Sequence, residues 1–282
     1  MVAQARMAAA VMLLRTLENG VEYVQQEAGQ DEAGEQSRNF EVFMVRRASK
    51  SVFMPDVYVF PGGAVSVEDL TIEAQEDLCY PIELTAEDRG RTALGNGVRT
   101  AAIRELFEEA NILLAYTTIA PVPKLLEIDT EALERFAGYR SALNTRQAQQ
   151  IEPGTLEEML RSERLVLAVD RLSYFAHWIT PITQPKRYDT HFFLANAPLQ
   201  QEALYDQLET SDGLWIEPTE ALARNAAGSF PLAFPTIHQL RELASFPTID
   251  AAFNAAREGV VSTIQPVQVE REGKTQFVLP VD

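Results

Sequence analysis

Residues 97–110, GVRTAAIRELFEEA, carry the spacing of a helix, and their second half is Arg104-Glu105-Leu106-Phe107-Glu108-Glu109. On a helix, Glu105, Glu108 and Glu109 stand three and four residues apart and lie toward one side. Crowded carboxylates repel and destabilise the helix unless something offsets the charge. A hard divalent cation does so, because magnesium takes oxygen ligands and is commonly held by a few carboxylates plus phosphate. Taken alone, the hexapeptide also reads as a solvated helix face on which Arg104 pairs with Glu108. Upstream, Phe60-Pro61-Gly62-Gly63 ends a short apolar strand at 57–60. Two adjacent glycines let a backbone pass close to a ligand, so the Gly63 carbonyl is a further candidate metal ligand. No dinucleotide-binding GxGxxG pattern is present.

Outward from this helix, strands and helices alternate. Apolar runs at 8–15, 41–47, 174–181, 188–195 and 213–217 read as strands. The polar stretch 18–39 reads as a long turn or hairpin tip. Residues 68–96, acidic and interrupted by Pro81, Gly90 and Gly95, read as a surface insertion. Residues 121–165 suggest two or three helices, a substrate lid or a dimer surface. Pro218 opens another helix at its first position, 235–245 a further one, and 262–280 reads as strands flanking a turn at 271–273. The expected fold is α+β, a mixed sheet between helices, as one domain over 1–282 with insertions at about 70–96 and 121–170.

Composition narrows the function. The 282-residue chain has 24 basic and 41 acidic residues, a net charge of −17. Such a surface repels nucleic acid and anionic membranes, and an anionic small substrate then needs a cation or a local basic pocket. No apolar run reaches the length of a membrane helix. The single cysteine, Cys79, precludes an intrachain disulfide and fits a reducing, cytoplasmic setting.

Together, Gly63 and Arg104-Glu105-Leu106-Phe107-Glu108-Glu109 with Ile112 resemble the Nudix box: Gly, five residues, Glu, seven residues, then Arg-Glu-apolar-any-Glu-Glu-any-Gly-apolar. Asp69 stands for the first Glu, Asn111 for the last Gly, and 34 residues separate Asp69 from Arg104. This split box is similar to the branch that holds the peroxisomal coenzyme A diphosphatases of animals and bacterial relatives. The segments His177-Trp178-Ile179-Thr180-Pro181, Arg187-Tyr188-Asp189-Thr190 and Trp215-Ile216-Glu217-Pro218 resemble that branch as well.

The resemblance implies a Nudix fold and hydrolysis of a diphosphate linkage in a nucleotide derivative, coenzyme A or an acyl-coenzyme A first. ADP-ribose or a dinucleotide is the alternative, and a nucleotide-binding sensor without turnover the reading from another class. It implies magnesium, with manganese as substitute, on Glu105, Glu108, Glu109 and Gly63, and catalytic roles for Arg104, Glu105 and Glu108. The base is left open, with Glu105 and Glu209 as candidates; Glu209 reads also as a solvated loop carboxylate. The upstream coenzyme A pattern is matched only at Arg47 and Ala48; Val52 and Asp56 stand where Arg and Gly belong. A small-molecule substrate is the expected partner, and a homodimer is open.

Basic residues are scarce, so Arg46, Arg47 and Lys50 beside the glycine loop, and Arg187 in a strand turn, are the candidate phosphate contacts; the first three read equally as charges that balance nearby acids. Arg187 has a second reading, a hairpin anchor paired with Asp189. His177, His191 and His238 lack the sequence spacing of a metal site and read as structural. Trp178 and Trp215 read as core aromatics.

Overall fold

A computed structural model of the chain describes residues 3–17, 40–50, 54–82, 96–118, 121–149, 155–271 and 274–279. The readings made for 18–39, for 83–95 and for the tip of the C-terminal turn lie outside these residues.

Strand β1 (Arg6–Thr16) is the spine of the molecule. Its successive side chains face opposite ways, as strand geometry requires. Ala9, Val11 and Leu13 enter one apolar core, and Ala10, Met12 and Leu14 enter another. A strand buried on both faces reads as a continuous apolar run, which is why 8–15 shows no alternation. Beside β1 lie β2 (Phe40–Arg47) and β4 (Gly62–Ala64), and β3 (Tyr58–Val59) pairs with β2. The sheet is completed by β8 (Ser173–Ile179), β9 (Tyr188–Asn196), β10 (Thr210–Ile216) and β11 (Thr263–Ile264). The order is β10-β2-β1-β9-β8-β11, with β3 on β2 and β4 on β1. The pairs β1–β9 and β8–β11 are parallel and the others antiparallel, so the sheet is mixed.

Helices cover both faces. On one lie α1 (Val67–Glu73), α2 (Val98–Ala110), α3 (Thr130–Gln149) and α4 (Thr155–Glu163). On the other lie α5 (Pro218–Ala226), α6 (Phe234–Leu243) and α7 (Ile249–Glu258). A small sheet of β5 (Ala115–Thr118), β6 (Lys124–Leu125) and β7 (Val166–Leu167) flanks the first face, and β12 (Val267–Arg271) pairs with β13 (Lys274–Val278) at the C-terminus. This is the expected sheet between helix layers.

Two elements depart from the sequence reading. Helix α7 went unread, although Thr248 caps it by accepting from the Ala251 amide and Ala252, Phe253 and Ala256 form its buried face. The stretch after Asp69 is not confined to the surface: Ile72, Leu78 and Cys79 are core residues. Its acidic composition concealed this, because the acids are partly structural. Ser66 and Asp69 form a reciprocal capping box that starts α1. Glu73, at its end, accepts from the Arg99 and Thr100 amides at 3.0 and 2.9 Å and so caps α2. Glu68 accepts from Leu156 and Glu157, both at 3.0 Å, and caps α4.

A buried carboxylate cluster as candidate metal centre

Every residue of α2 is buried, including Arg104, Glu105, Glu108 and Glu109. A solvated charged face is therefore not what this helix presents. Its ends explain its placement. Gly97 at the N-terminus has φ +73°, a left-handed conformation, and packs on the Leu70 backbone, where a side chain would collide. Asn111 at the C-terminus has φ 62°, and the amides of Asn111 and Ile112 donate to Phe107 and Leu106. Asn serves there because it tolerates the left-handed turn that closes a helix.

Arg104 organises the cluster. Its guanidinium grips Asp69 with two bonds of 2.9 and 2.8 Å and donates to Glu105 at 2.8 Å, to Glu108 at 3.1 Å and to the Ala64 carbonyl at 2.9 Å. The fork geometry of a guanidinium suits such bidentate pairing. Asp69 thus meets Arg104 across the 34 intervening residues, and the two halves of the split box close on each other. Arg104 is a positioning group in this arrangement: its bonds hold the carboxylates and β4.

The glycine loop completes the site. The Gly62 amide donates to Glu109 Oε2 at 2.9 Å. A Cβ on Gly63 would overlap the Glu105 carboxylate, and one on Gly62 would overlap the β1 backbone. Only glycine lets β4 lie between β1 and these side chains.

The electrostatics are unbalanced. Burial, opposed by Arg104, raises the pKa of Glu105. Burial, offset in part by Arg104 and reinforced by Glu105, pushes Glu108 up to about 8. Burial and then Glu105 raise Glu109 well above the usual carboxylate range. Glu108 Oε2 is buried without a hydrogen-bond partner among the described residues. A divalent cation reverses each of these penalties, because its charge favours the ionised carboxylates that desolvation opposes. The donor set, hard oxygens with one carboxylate oxygen unpartnered among the described residues, fits such an ion.

The remaining candidates separate by position. Arg47 alternates with Phe43 and Val45 onto the α2 face, and its charge lowers the pKa of both Glu109 and Glu209. Arg46, one residue earlier, points to the opposite face, over the Tyr58 ring and 3.5 Å from Asp56. Lys50 is exposed in the turn that follows β2. Arg187 bonds the Thr180 and Ala3 carbonyls at 3.0 and 2.8 Å, anchoring the hairpin through backbone instead of through Asp189. Glu209 is half-buried at the start of β10, close enough to raise the pKa of Glu105 and Glu109. Asp206 shapes its loop by accepting from the Leu208, Glu209 and Thr210 amides. Burial, then Asp206, raises Glu209. Trp178 is buried on the α6 side near Phe234 and His238, while Trp215 is half-buried under Arg15.

Two contributors were not read from the sequence. Arg140 Nε and Asn144 Nδ2 on α3 donate to the Glu108 carbonyl at 2.9 and 3.4 Å, and Arg140 also reaches the Leu204 carbonyl at 2.7 Å. Their only signal was membership of a helix with no assigned role. Beside them a cleft of about 470 Å³ opens at the C-terminal end of α2, lined by Leu133, Phe136, Arg140, Asn144 and Leu204.

Comparison with known proteins matches residues 84–243 to the NUDT19 Nudix domain. The chain is 25% identical to the acyl-coenzyme A diphosphatase NUDT19 of Xenopus laevis over 85% of its own length and 69% of that protein's. It is 27% identical to the acyl-coenzyme A diphosphatase NUDT19 of Gallus gallus over 75% of its length and 63% of that protein's. Among solved structures, a NUDIX hydrolase from Alicyclobacillus acidocaldarius superposes with a TM-score of 0.66 at 24% identity, covering 90% of this chain and 97% of that one. Its fold is the one described above.

Proposed function

Because the chain belongs to the NUDT19 Nudix domain family, a family of diphosphate-cleaving hydrolases, we propose that it hydrolyses the diphosphate of coenzyme A or an acyl-coenzyme A. The observation that carries the reading is the buried set Glu105, Glu108 and Glu109 at the glycine loop, with Glu108 Oε2 unpartnered. Those three carboxylates and the Gly63 carbonyl are the ligands assigned to magnesium, with manganese as substitute. When bound, the ion neutralises the diphosphate and acts as a Lewis acid on its oxygens.

The chain's own groups supply the rest. Glu209, held by the Asp206 loop and with its pKa raised by burial, takes the proton of the attacking water. Arg47, on the same face, receives a phosphate, and Lys50 adds charge at the rim. Arg104 keeps Glu105 and Glu108 in register with Asp69, so its effect on turnover is indirect. The cleft between α3 and the Leu204 loop, in the size range of small-molecule sites, receives the long arm of the substrate. Its mixed apolar and amide lining suits a pantetheine chain. The relatives named acyl-coenzyme A diphosphatase support this substrate class, although the chain spans only 63% to 69% of their lengths. A cytoplasmic setting belongs to the same reading and is supported by the lone, buried Cys79.

The test is magnesium-dependent hydrolysis of coenzyme A, an acyl-coenzyme A, ADP-ribose and NADH, with products identified by mass. Release of 4′-phosphopantetheine and 3′,5′-ADP, reduced about 10³-fold in Glu109→Gln, is the expected outcome. Preference for ADP-ribose or NADH retains the chemistry and overturns the substrate. No turnover with magnesium or manganese overturns the hydrolytic reading and leaves nucleotide binding.

A further inference from the structure

A second cluster of metal-ligating side chains lies on the α2 face of the sheet, outside the carboxylate site. His177 on β8 and His191 on β9 are direct cross-strand partners, and their rings stack at 4.3 Å. Both Nε2 atoms converge on one oxygen of Asp189: His177 at 2.5 Å and His191 at 3.7 Å. All three ligand atoms lie within 4.8 Å of one another. The sequence shows two histidines 14 positions apart with no zinc-like spacing; the β8–β9 register supplies the proximity.

The outward nitrogens are also engaged. His177 Nδ1 lies 2.8 Å from the Thr263 hydroxyl, and His191 Nδ1 lies 2.9 Å from the Tyr174 hydroxyl. Each ring is thereby oriented, with Nε2 turned inward. Metal-binding histidines are held in this way, the second nitrogen hydrogen-bonded to an outer group that fixes ring orientation and tautomer. His191 is buried, whereas the Asp189 carboxylate keeps about a third of its surface open, here 31%. An ion therefore has a route in and a free coordination position.

We infer that His177, Asp189 and His191 form a binding site for a divalent transition-metal ion of borderline softness, of the zinc class. Two imidazoles and a carboxylate with an open position are a donor set of that class and not of magnesium, which takes oxygen alone. At Zn–N distances of about 2.0 Å, tetrahedral ligands stand about 3.3 Å apart. Occupation moves the His177–Asp189 contact out and draws the His191–Asp189 contact in. His191 sits beside Ala9, which in turn faces Gly63 across β1. The site is thus two strand spacings, about 10 Å, from the glycine loop. It joins β8, β9 and, through Thr263, β11.

The experiment is zinc titration of the full chain after chelation, read by competition with a chromophoric chelator in excess magnesium. Cobalt substitution is followed by its visible d–d absorption. Wild type and Glu109→Gln should each bind one zinc equivalent, and His177→Asn should lose it. Thr263→Val, which keeps all three ligands, should weaken it about 10- to 100-fold. This last variant decides the matter if His177→Asn fails to fold by circular dichroism. A zinc equivalent that persists in folded His177→Asn, or an unchanged affinity in Thr263→Val, overturns the site. So does a wild-type chain that takes up no zinc, or an equivalent lost in Glu109→Gln and kept in His177→Asn. None of these readouts involves turnover, so failure here leaves the hydrolase reading untouched, and the reverse holds.

Discussion

The two faces of the central sheet bury different chemistry with the same strands. On the α5–α7 side, β1 presents Ala10, Met12 and Leu14 to an apolar core that includes Phe230, Leu240 and Phe253. On the α2 side, β1 presents Ala9, Val11 and Leu13, yet the helix laid across them carries Arg104 and three glutamates, with Asp69 opposite. The first face is stabilised by removing apolar surface from water, at roughly 25 cal/mol per Å². The second gains from the same burial around Leu106 and Phe107 but carries a desolvation cost that one guanidinium offsets only in part. Both faces are held by apolar burial, and the buried charged cluster lies on the α2 side.

The sharpest break in this contrast is Glu109→Gln. Turnover should fall by about 10³-fold, the scale for losing a main electrostatic stabiliser of a transition state. Stability of the metal-free protein should hold or rise, since burial disfavours an ionised Glu109 and glutamine cannot ionise. A variant that melts lower without metal would falsify the claim that Glu109 is strained there.

Next come two substitutions of similar cost and different origin. Arg104→Met strands Asp69, Glu105 and Glu108 and should destabilise by about 3–5 kcal/mol in urea unfolding. Phe253→Ala on α7 opens a cavity and should cost about 3 kcal/mol. They part with pH: the Arg104→Met deficit should shrink in acid as the stranded carboxylates protonate, and the Phe253→Ala deficit should not. Parallel pH curves would remove the distinction between the faces.

A smaller effect concerns pH in the metal-free wild type. Glu108 ionises at 4.5 ordinarily and near 8 in the fold, where burial favours the protonated form. The fold therefore holds its proton where the unfolded chain releases it, and stability falls as pH rises from about 4.5 through about 8. Saturating magnesium should flatten that slope. Parallel melting curves with and without magnesium would count against the carboxylates as its ligands. Smallest is Cys79: burial pushes its thiol up to about 11, so alkylation at neutral pH should be slow until the protein unfolds. Rapid labelling of the native chain would show that the region after α1 opens readily.

How much of this was legible in the sequence follows from how each contact is made. The three glutamates sit on one helix, and helical period alone joins them. The fold class was readable because strands buried on both faces and helices of mixed polarity leave plain patterns. The Asp69–Arg104 pairing was not read, because its closure depends on Gly97 turning left-handed and on Glu73 capping the next helix. Arg46 and Arg47 read as equivalent until strand alternation sent them to opposite faces. Arg140 and Asn144 act on a carbonyl, and nothing in a side-chain pattern marks which carbonyl a distant helix will meet. The His177–Asp189–His191 cluster depends on hairpin register, which residue spacing does not encode.

Helix α1 has only seven residues, yet carboxylates from its first and last turns seat the N-termini of α4 and α2. Neither of those helices can fray at its start without breaking a bond to the same short segment. Their amide protons should accordingly exchange with solvent as one cooperative unit. Helix α1, which spans the point where the box is interrupted, is thus the fastener between the box helix and α4.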